Sequence, residues 1–348
     1  MKSGALFCYT NSRNEDIYLY TLRNSQTEVL ISNYGAIINT YRVLRGGVAT
    51  DIVLGFDRME EYLGPEYLKQ YPWFGCAVGR YANRIRDAAF ELDGKKYFVT
   101  KNRGRHQLHG GAEGFDKKVW KFRDAGEGDV PFLELSYRSA HGEEGFPGNL
   151  EVLIRFELRE PHELSYEFSA TADQPTPVNL THHGYFNLNN GEGTIHGHEL
   201  FIPASSYLQQ DEDLVATGSY VPVNGTAHDF RNSKQIGEAL QQLPEFDQSF
   251  VLDKESVETE LQVAAKLDSP HSRLSLTVMT TEPVVHFYSG KWTPRVAGKR
   301  GQPYGPFSGL CLETHIHANA VNIPHFPNTV LRPGETYRQK TTYRVLPL

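Results

Sequence analysis

Apolar and polar residues alternate along most of this chain, and alternation with a period of two marks a half-buried strand. Leu133, Leu135 and Tyr137 alternate, as do Leu150, Val152, Ile154, Phe156 and Leu158. After a Pro161-His162 turn the pattern resumes at Leu164, Tyr166, Phe168 and Ala170. Leu261, Val263, Ala265 and Leu267 make another run, answered by Leu274, Leu276 and Val278. The chain closes on Tyr337, Gln339, Thr341, Tyr343 and Val345. Near the start, Val29, Ile31 and Tyr34 lead through Gly35-Ala36 into Ile37 and Ile38, which predicts two strands joined by a glycine turn. Phe90 to Val99 reads as a hairpin with Asp93-Gly94 as its two-residue turn.

Helical spacing is scarce and best at Ser233–Leu243, where Ile236, Ala239, Leu240 and Leu243 share a face and Ser233 is placed to cap the N-terminus. Many short strands, glycine turns and almost no helix predict an all-β fold, a large antiparallel β-sandwich. No Pro/Ser/Gly-rich linker, low-complexity tract or fixed-period repeat divides the 348 residues, so a single domain over 1–348 is expected.

Composition narrows the function. A net charge of −7 without any basic run argues against nucleic acid and anionic membrane surfaces as partners. No stretch is long and apolar enough to span a bilayer. Cys8, Cys76 and Cys311 are odd in number and lack C-x-x-C spacing, so they suggest neither a disulfide framework nor a zinc site. The first residues carry no apolar run of signal-peptide length, and a cytoplasmic protein is expected. Nineteen Tyr and nineteen Phe suit strands, and they also suit the flat apolar faces of sugar rings.

Reactive side chains gather in five clusters beside glycines or aromatics. These are Gly79-Arg80-Tyr81-Ala82-Asn83-Arg84-Ile85, Gln107-Leu108-His109-Gly110-Gly111 followed by Gly114-Phe115-Asp116-Lys117, the stretch Pro175–Leu188 with His182 and His183, Glu245-Phe246-Asp247-Gln248-Ser249-Phe250, and Cys311-Leu312-Glu313-Thr314-His315-Ile316-His317. If Thr181–Tyr185 is extended, His183 shares a face with Thr181 and Tyr185, and His182 shares the other with Leu180 and Gly184. Each cluster alone has an ordinary explanation: His109 suits a turn, Arg84 a surface, and Asp247 a turn that bonds its own backbone. Glu313, at the edge of Leu310-Cys311-Leu312, is either a strand-end residue facing water or a partly desolvated base with a raised pKa.

Read in order, however, Asn83-Arg84, Leu108-His109-Gly110-Gly111, Pro177-Val178-Asn179-Leu180-Thr181, His183, Tyr185-Phe186-Asn187-Leu188, Phe246-Asp247, Phe287-Tyr288-Ser289-Gly290 and Leu312-Glu313-Thr314 resemble the galactose mutarotase, or aldose 1-epimerase, family. The resemblance runs from Asn33 to Glu335 and implies that family's large β-sandwich. It implies Glu313 as general base, His183 as general acid, and His109 as a hydrogen-bonding group near the ring oxygen and C1. Asn83, Arg84 and Asp247 match positions that hold sugar hydroxyls. His286 stands where a glutamine that contacts the sugar is common, which opens the expectation that activity is more sensitive to acid. The implied substrate is a free aldohexose such as galactose or glucose, with neither cofactor nor metal, in a monomer or homodimer. His182 for asparagine, Gln248 for histidine and Lys291 for asparagine are further departures. Rival readings are a metal site on His315 and His317, a non-catalytic sugar-binding module, and a hexose-6-phosphate epimerase. The last should show extra arginines, yet of Arg80, Arg84 and Arg86 only Arg84 matches a sugar-contact position.

Overall fold

In the computed structural model, which describes residues 4–253 and 260–348, the alternating segments pair into three main antiparallel sheets. The largest has nine strands. The long runs predicted from alternation lie side by side in it: Phe132–Ser139, Leu150–Arg159 and Glu163–Ala172. The C-terminal strand Tyr337–Pro347 inserts between Glu163–Ala172 and Leu274–Thr280, with Gln262–Ser269 beyond. A five-stranded meander from Ala5–Thr10 to Val48–Asp51 forms a second sheet. The third has six strands, in the order Tyr185–Phe186, Leu310–His315, Val284–Tyr288, Asp247–Val251, Ser206–Gln210 and Ala216–Pro222. A bridge between Val53 and Phe186 joins the second and third sheets edge to edge.

Alternation decides which faces meet. Leu135, Ile154, Phe156, Phe168 and Tyr343 of the nine-stranded sheet pack in one core with Val29, Ile31 and Tyr41 of the meander. Phe250, Val285, Phe287 and Leu312 of the six-stranded sheet join the same core. Each such side chain, fully withdrawn from water, contributes roughly 1.5–3 kcal/mol. The sandwich is therefore one layer of nine strands against a second layer made of two sheets. Phe90 and its neighbours form the predicted hairpin, Ala89–Leu92 against Lys95–Phe98, and Asp93 and Gly94 both take the positive φ its tight turn needs.

Two expectations are corrected. Leu261 and Val263 do not face the core with Leu267; they are 40% and 42% exposed. The register shifts between Val263 and Ala265, so Ala264 and Ala265 are both buried and the alternation reverses across the bulge. The helix is a single turn, Ile236–Ala239, and its cap is Gln235 rather than Ser233. The preceding Lys234–Gln235 pairs with Glu199 and Leu200 at the sheet edge, which takes residues that a longer helix would need. The apolar face was nonetheless correct: Ile236 and Ala239 are buried, and Leu240 and Leu243 pack on the core.

The fold also separates the paired histidines. Thr181–His182 pairs with Ala77–Val78, and His182 is buried against Phe156 and Tyr166, with Nε2 3.3 Å from Ala36 O. His183 turns to the opposite side, its backbone N–H donating to Cys76 O. The bulge makes a direct test. Val263→Ser should change unfolding free energy by less than about 0.5 kcal/mol, whereas Leu267→Ala should cost about 2–5 kcal/mol. Denaturant titration of both variants would contradict the placement if their costs matched.

Candidate active site

The site is built across neighbouring strands of the six-stranded sheet. Leu310–His315 places Glu313 directly opposite His286, and His286 in turn lies opposite Ser249. His183 arrives from the segment before Tyr185–Phe186, and its Nε2 lies 3.5 Å from Glu313 Oε1. Both are buried, and Glu313 Oε2 has no hydrogen-bond partner among the described residues. The His183 ring runs nearly parallel to Tyr185 (centroids 5.3 Å apart) and to Trp73 (6.0 Å), which restricts its plane. Its other nitrogen, Nδ1, is 3.4 Å from Cys311 Sγ.

Two short loops supply the opposite wall. Arg84 pairs with Leu108, which sets His109 beside Asn83. His109 N–H donates to Asn83 O, Asn83 N–H reaches His109 Nδ1 at 3.4 Å, and Asn83 Oδ1 accepts from Arg84 N–H at 2.8 Å. His109 has φ 51° and Gly110 φ 85°, and a Cβ on Gly110 would stand 1.9 Å from Gly79 O. Glycine is the residue that permits this close approach of the two loops. Asn83, Arg84, His109, His183, Asp247, His286 and Glu313 all line one cavity of about 560 Å³, open mouth included. Every expected site residue is thus in one place.

Burial governs the charges. Desolvation pushes the Glu313 carboxyl up to about 7, opposed by the positive charge of His286 and by Arg84. The same desolvation lowers His183 to about 3, with His286 adding to it. His109 is held well below the ordinary histidine range chiefly by burial, and the nearby Arg84 guanidinium lowers it further. Asp247 differs. Burial would raise it, but the hydrogen bond from His286, the charge of His286 and Arg84 more than offset that and leave it lowered. The cavity therefore holds one firm carboxylate, Asp247, facing a guanidinium, and a second acid poised near neutrality beside an uncharged imidazole.

Comparison with known proteins agrees with this geometry. The family model described as aldose 1-epimerase matches residues 18–344. A galactose mutarotase from Sus scrofa is 42% identical over 329 residues, covering 93% of this chain and 92% of that one. The Homo sapiens galactose mutarotase is 39% identical over 345 residues, covering 98% and 97%. The chain belongs to the aldose 1-epimerase family. A solved aldose epimerase homologue from C. elegans superposes with a TM-score of 0.87 at 29% identity, covering 99% of both chains.

Other residues are now placed within this aldose 1-epimerase framework. Arg80 is a scaffold residue: its guanidinium donates to Pro147 O, Gly148 O, Ser139 Oγ and Thr176 Oγ1 deep in the protein. Arg86 pairs with Asp211 at 2.7 Å. Of the three neighbouring arginines only Arg84 lines the cavity, but Arg103 lines it too and was missed. Also missed were Trp73, Tyr288 and Trp292. Tyr288 stood in the Phe287-Tyr288-Ser289-Gly290 landmark without a role, and for Trp73 and Trp292 the abundance of aromatics was the only signal.

The metal reading of His315 and His317 has no support in the geometry. His315 Nδ1 is 2.6 Å from Ile316 O, and the His317 ring packs on Phe326. Among the described residues, His109, His183 and Glu313 do gather, with ligand atoms within 4.8 Å of one another.

Glu313 has a thermodynamic consequence. Its folded-state value lies above its unfolded one, so its burial is cost-free below about pH 4.5 and increasingly unfavourable as pH rises through about 7. The full shift corresponds to on the order of 3 kcal/mol. Glu313→Gln should therefore be more stable than wild type at pH 8, with the gap closing toward pH 5. Parallel melting curves at the two pH values would contradict the burial of an ionisable Glu313.

Proposed function

We propose that Glu313 and His183 interconvert the α and β anomers of a free aldose by opening and reclosing the hemiacetal ring. The chain is an isomerase of the aldose 1-epimerase type; the residue roles are the reading advanced here. Its main support is the 3.5 Å approach of the buried His183 Nε2 and Glu313 Oε1 at the wall of the cavity that also gathers Asn83, Arg84, His109 and Asp247.

Mutarotation needs two coordinated proton movements. The C1 hydroxyl loses a proton as the C1–ring oxygen bond breaks, and the ring oxygen gains one. With the pair charged, Glu313 carboxylate takes the C1 hydroxyl proton while His183 imidazolium delivers its Nε2 proton to the ring oxygen. The products are an open-chain aldehyde, a protonated Glu313 and a neutral His183. Rotation about C1–C2 presents the other face of the aldehyde. The C5 hydroxyl then attacks C1, His183 takes the hydroxyl's proton, and Glu313 returns its proton to the new C1 hydroxyl. Atoms and charges balance over the cycle, and each proton-transfer group typically contributes about 10²–10⁴-fold.

The resting cavity favours the neutral distribution, because burial penalises both charges. That is the distribution the ring-opened state carries. A bound closed sugar, with His109 near its ring oxygen and Arg84 and Asp247 on its hydroxyls, supplies the hydrogen bonds that the charged distribution lacks in the empty site. Charge-assisted contacts from Arg84 and Asp247 orient the ring, so they act mainly on KM. The substrate is a free aldohexose such as galactose or glucose, the sugar named for the Sus scrofa and Homo sapiens relatives being galactose. No helix of the described residues is long and apolar enough to cross a membrane, and a cytoplasmic monomer or homodimer acting without cofactor fits this reading.

Polarimetry on freshly dissolved α-D-galactose and α-D-glucose is the test. Wild type should speed the approach to an unchanged final rotation. Glu313→Gln and His183→Asn should each lower kcat by about 10²–10⁴-fold, and Arg84→Met should raise KM with a smaller change in kcat. Wild type indistinguishable from buffer on free sugars, but active on glucose 6-phosphate, would overturn the reading. Arg103 at the cavity wall would then be the residue to examine.

A further inference from the structure

His286 has no ring nitrogen left for a substrate. Its Nε2 lies 2.7 Å from Asp247 Oδ1, and its Nδ1 lies 2.9 Å from Ser249 Oγ. Asp247, carrying a carboxylate, must accept, so Nε2 bears the proton. Ser249 is fully buried and stands directly across the sheet from His286, as His286 does from Glu313. The three side chains Ser249, His286 and Asp247 thus form a closed chain of hydrogen bonds that ends at the cavity.

We propose that Ser249 and His286 are positioning residues that fix Asp247 with one oxygen committed to the protein and the other presented to a sugar hydroxyl. This rests on the mutarotase reading of the cavity and deepens it. The Asp247 side chain is 19% exposed and lines the cavity, so its remaining acceptor capacity faces where substrate binds. A carboxylate free to rotate would present its oxygens in many orientations and lose part of its binding energy to ordering. One held by a short, charge-assisted hydrogen bond is pre-organised. The serine hydroxyl suits this task because it serves both states of the ring. It donates to Nδ1 when His286 is neutral and accepts from Nδ1–H when His286 is protonated. Asp247 is therefore held in either state.

The ring also faces charge on every neighbouring element. Asp247 lies on its own side of the sheet, Glu313 lies across the adjacent strand, the His315 ring lies 6.0 Å away, and Arg84, His109 and His183 line the same cavity. Positive charge on His286 favours the ionised form of Glu313.

The test separates contact through Asp247 from direct contact with sugar. Ser249→Ala should raise KM for galactose several-fold with kcat within about two-fold, and His286→Leu should raise KM about ten-fold. His286→Gln, whose amide can still donate to Asp247, should stay within about two-fold of wild type in KM. The double variant His286→Leu/Asp247→Ala should be no worse than Asp247→Ala alone. Additive KM effects in that cycle, or loss of kcat with KM unchanged in Ser249→Ala, would overturn the proposal. Galactose Kd measured by calorimetry on the same variants in a Glu313→Gln background gives the readout without turnover. If wild type proves inactive as a mutarotase but binds galactose, Kd must follow the same pattern for the proposal to stand. Absence of galactose binding would overturn both readings. Melting temperatures identify any variant that fails to fold, and Ser249→Thr, which keeps the hydroxyl, should then restore the wild-type KM.

Discussion

Desolvation of Glu313 and His183 is the constraint on which the site depends. Each is nearly sealed from water, and Glu313 Oε2 makes no hydrogen bond among the described residues. Alone, each would be pushed to its neutral form. At 3.5 Å they stand close enough, on the reading proposed above, to pass protons to and from a single bound sugar. That is the property mutarotation requires. The reaction moves one proton into the pair and one out, so a site that tolerates both distributions runs equally well in either direction.

The rest of the molecule makes this arrangement sustainable. Three sheets share one core, and the strand carrying Glu313 lies between two others in the six-stranded sheet, paired along Cys311–His315 with Val284–Tyr288 and at Leu310 and Cys311 with Tyr185–Phe186. Rigid strands hold functional groups more accurately than loops do. The loops that do contribute, around Asn83 and His109, are locked to each other by backbone hydrogen bonds and by the close approach at Gly110. An unfavourable buried acid is thus carried by a scaffold whose apolar burial far exceeds its cost.

Much of the fold was legible because burial on one face writes itself into a period of two. It failed where the period breaks. The bulge near Ala264 leaves no trace in composition, and Leu261 and Val263 look inward in sequence while standing outward in space. The site was legible for a different reason. Asn83, Arg84, His109, His183, Asp247 and Glu313 were identified by an ordered resemblance, and no spacing rule would have joined residues so far apart in the chain. What the sequence could not say is how they touch. His286 looked like a sugar contact until both of its nitrogens were found engaged by Asp247 and Ser249, and Arg103 was invisible because an exposed arginine in a turn carries no signal.

The central claim is that burial holds the Glu313 carboxyl poised near neutrality, 3.5 Å from His183. The most direct measurement is a pH titration of that carboxyl, by ¹³C NMR of glutamate-labelled protein with Glu313→Gln used to assign its signal. A midpoint close to 7, moving when His183 is replaced by asparagine, is the predicted result. A midpoint in the ordinary glutamate range of about 4.3, indifferent to His183, would mean that water reaches the acid and that the two groups do not act as a pair.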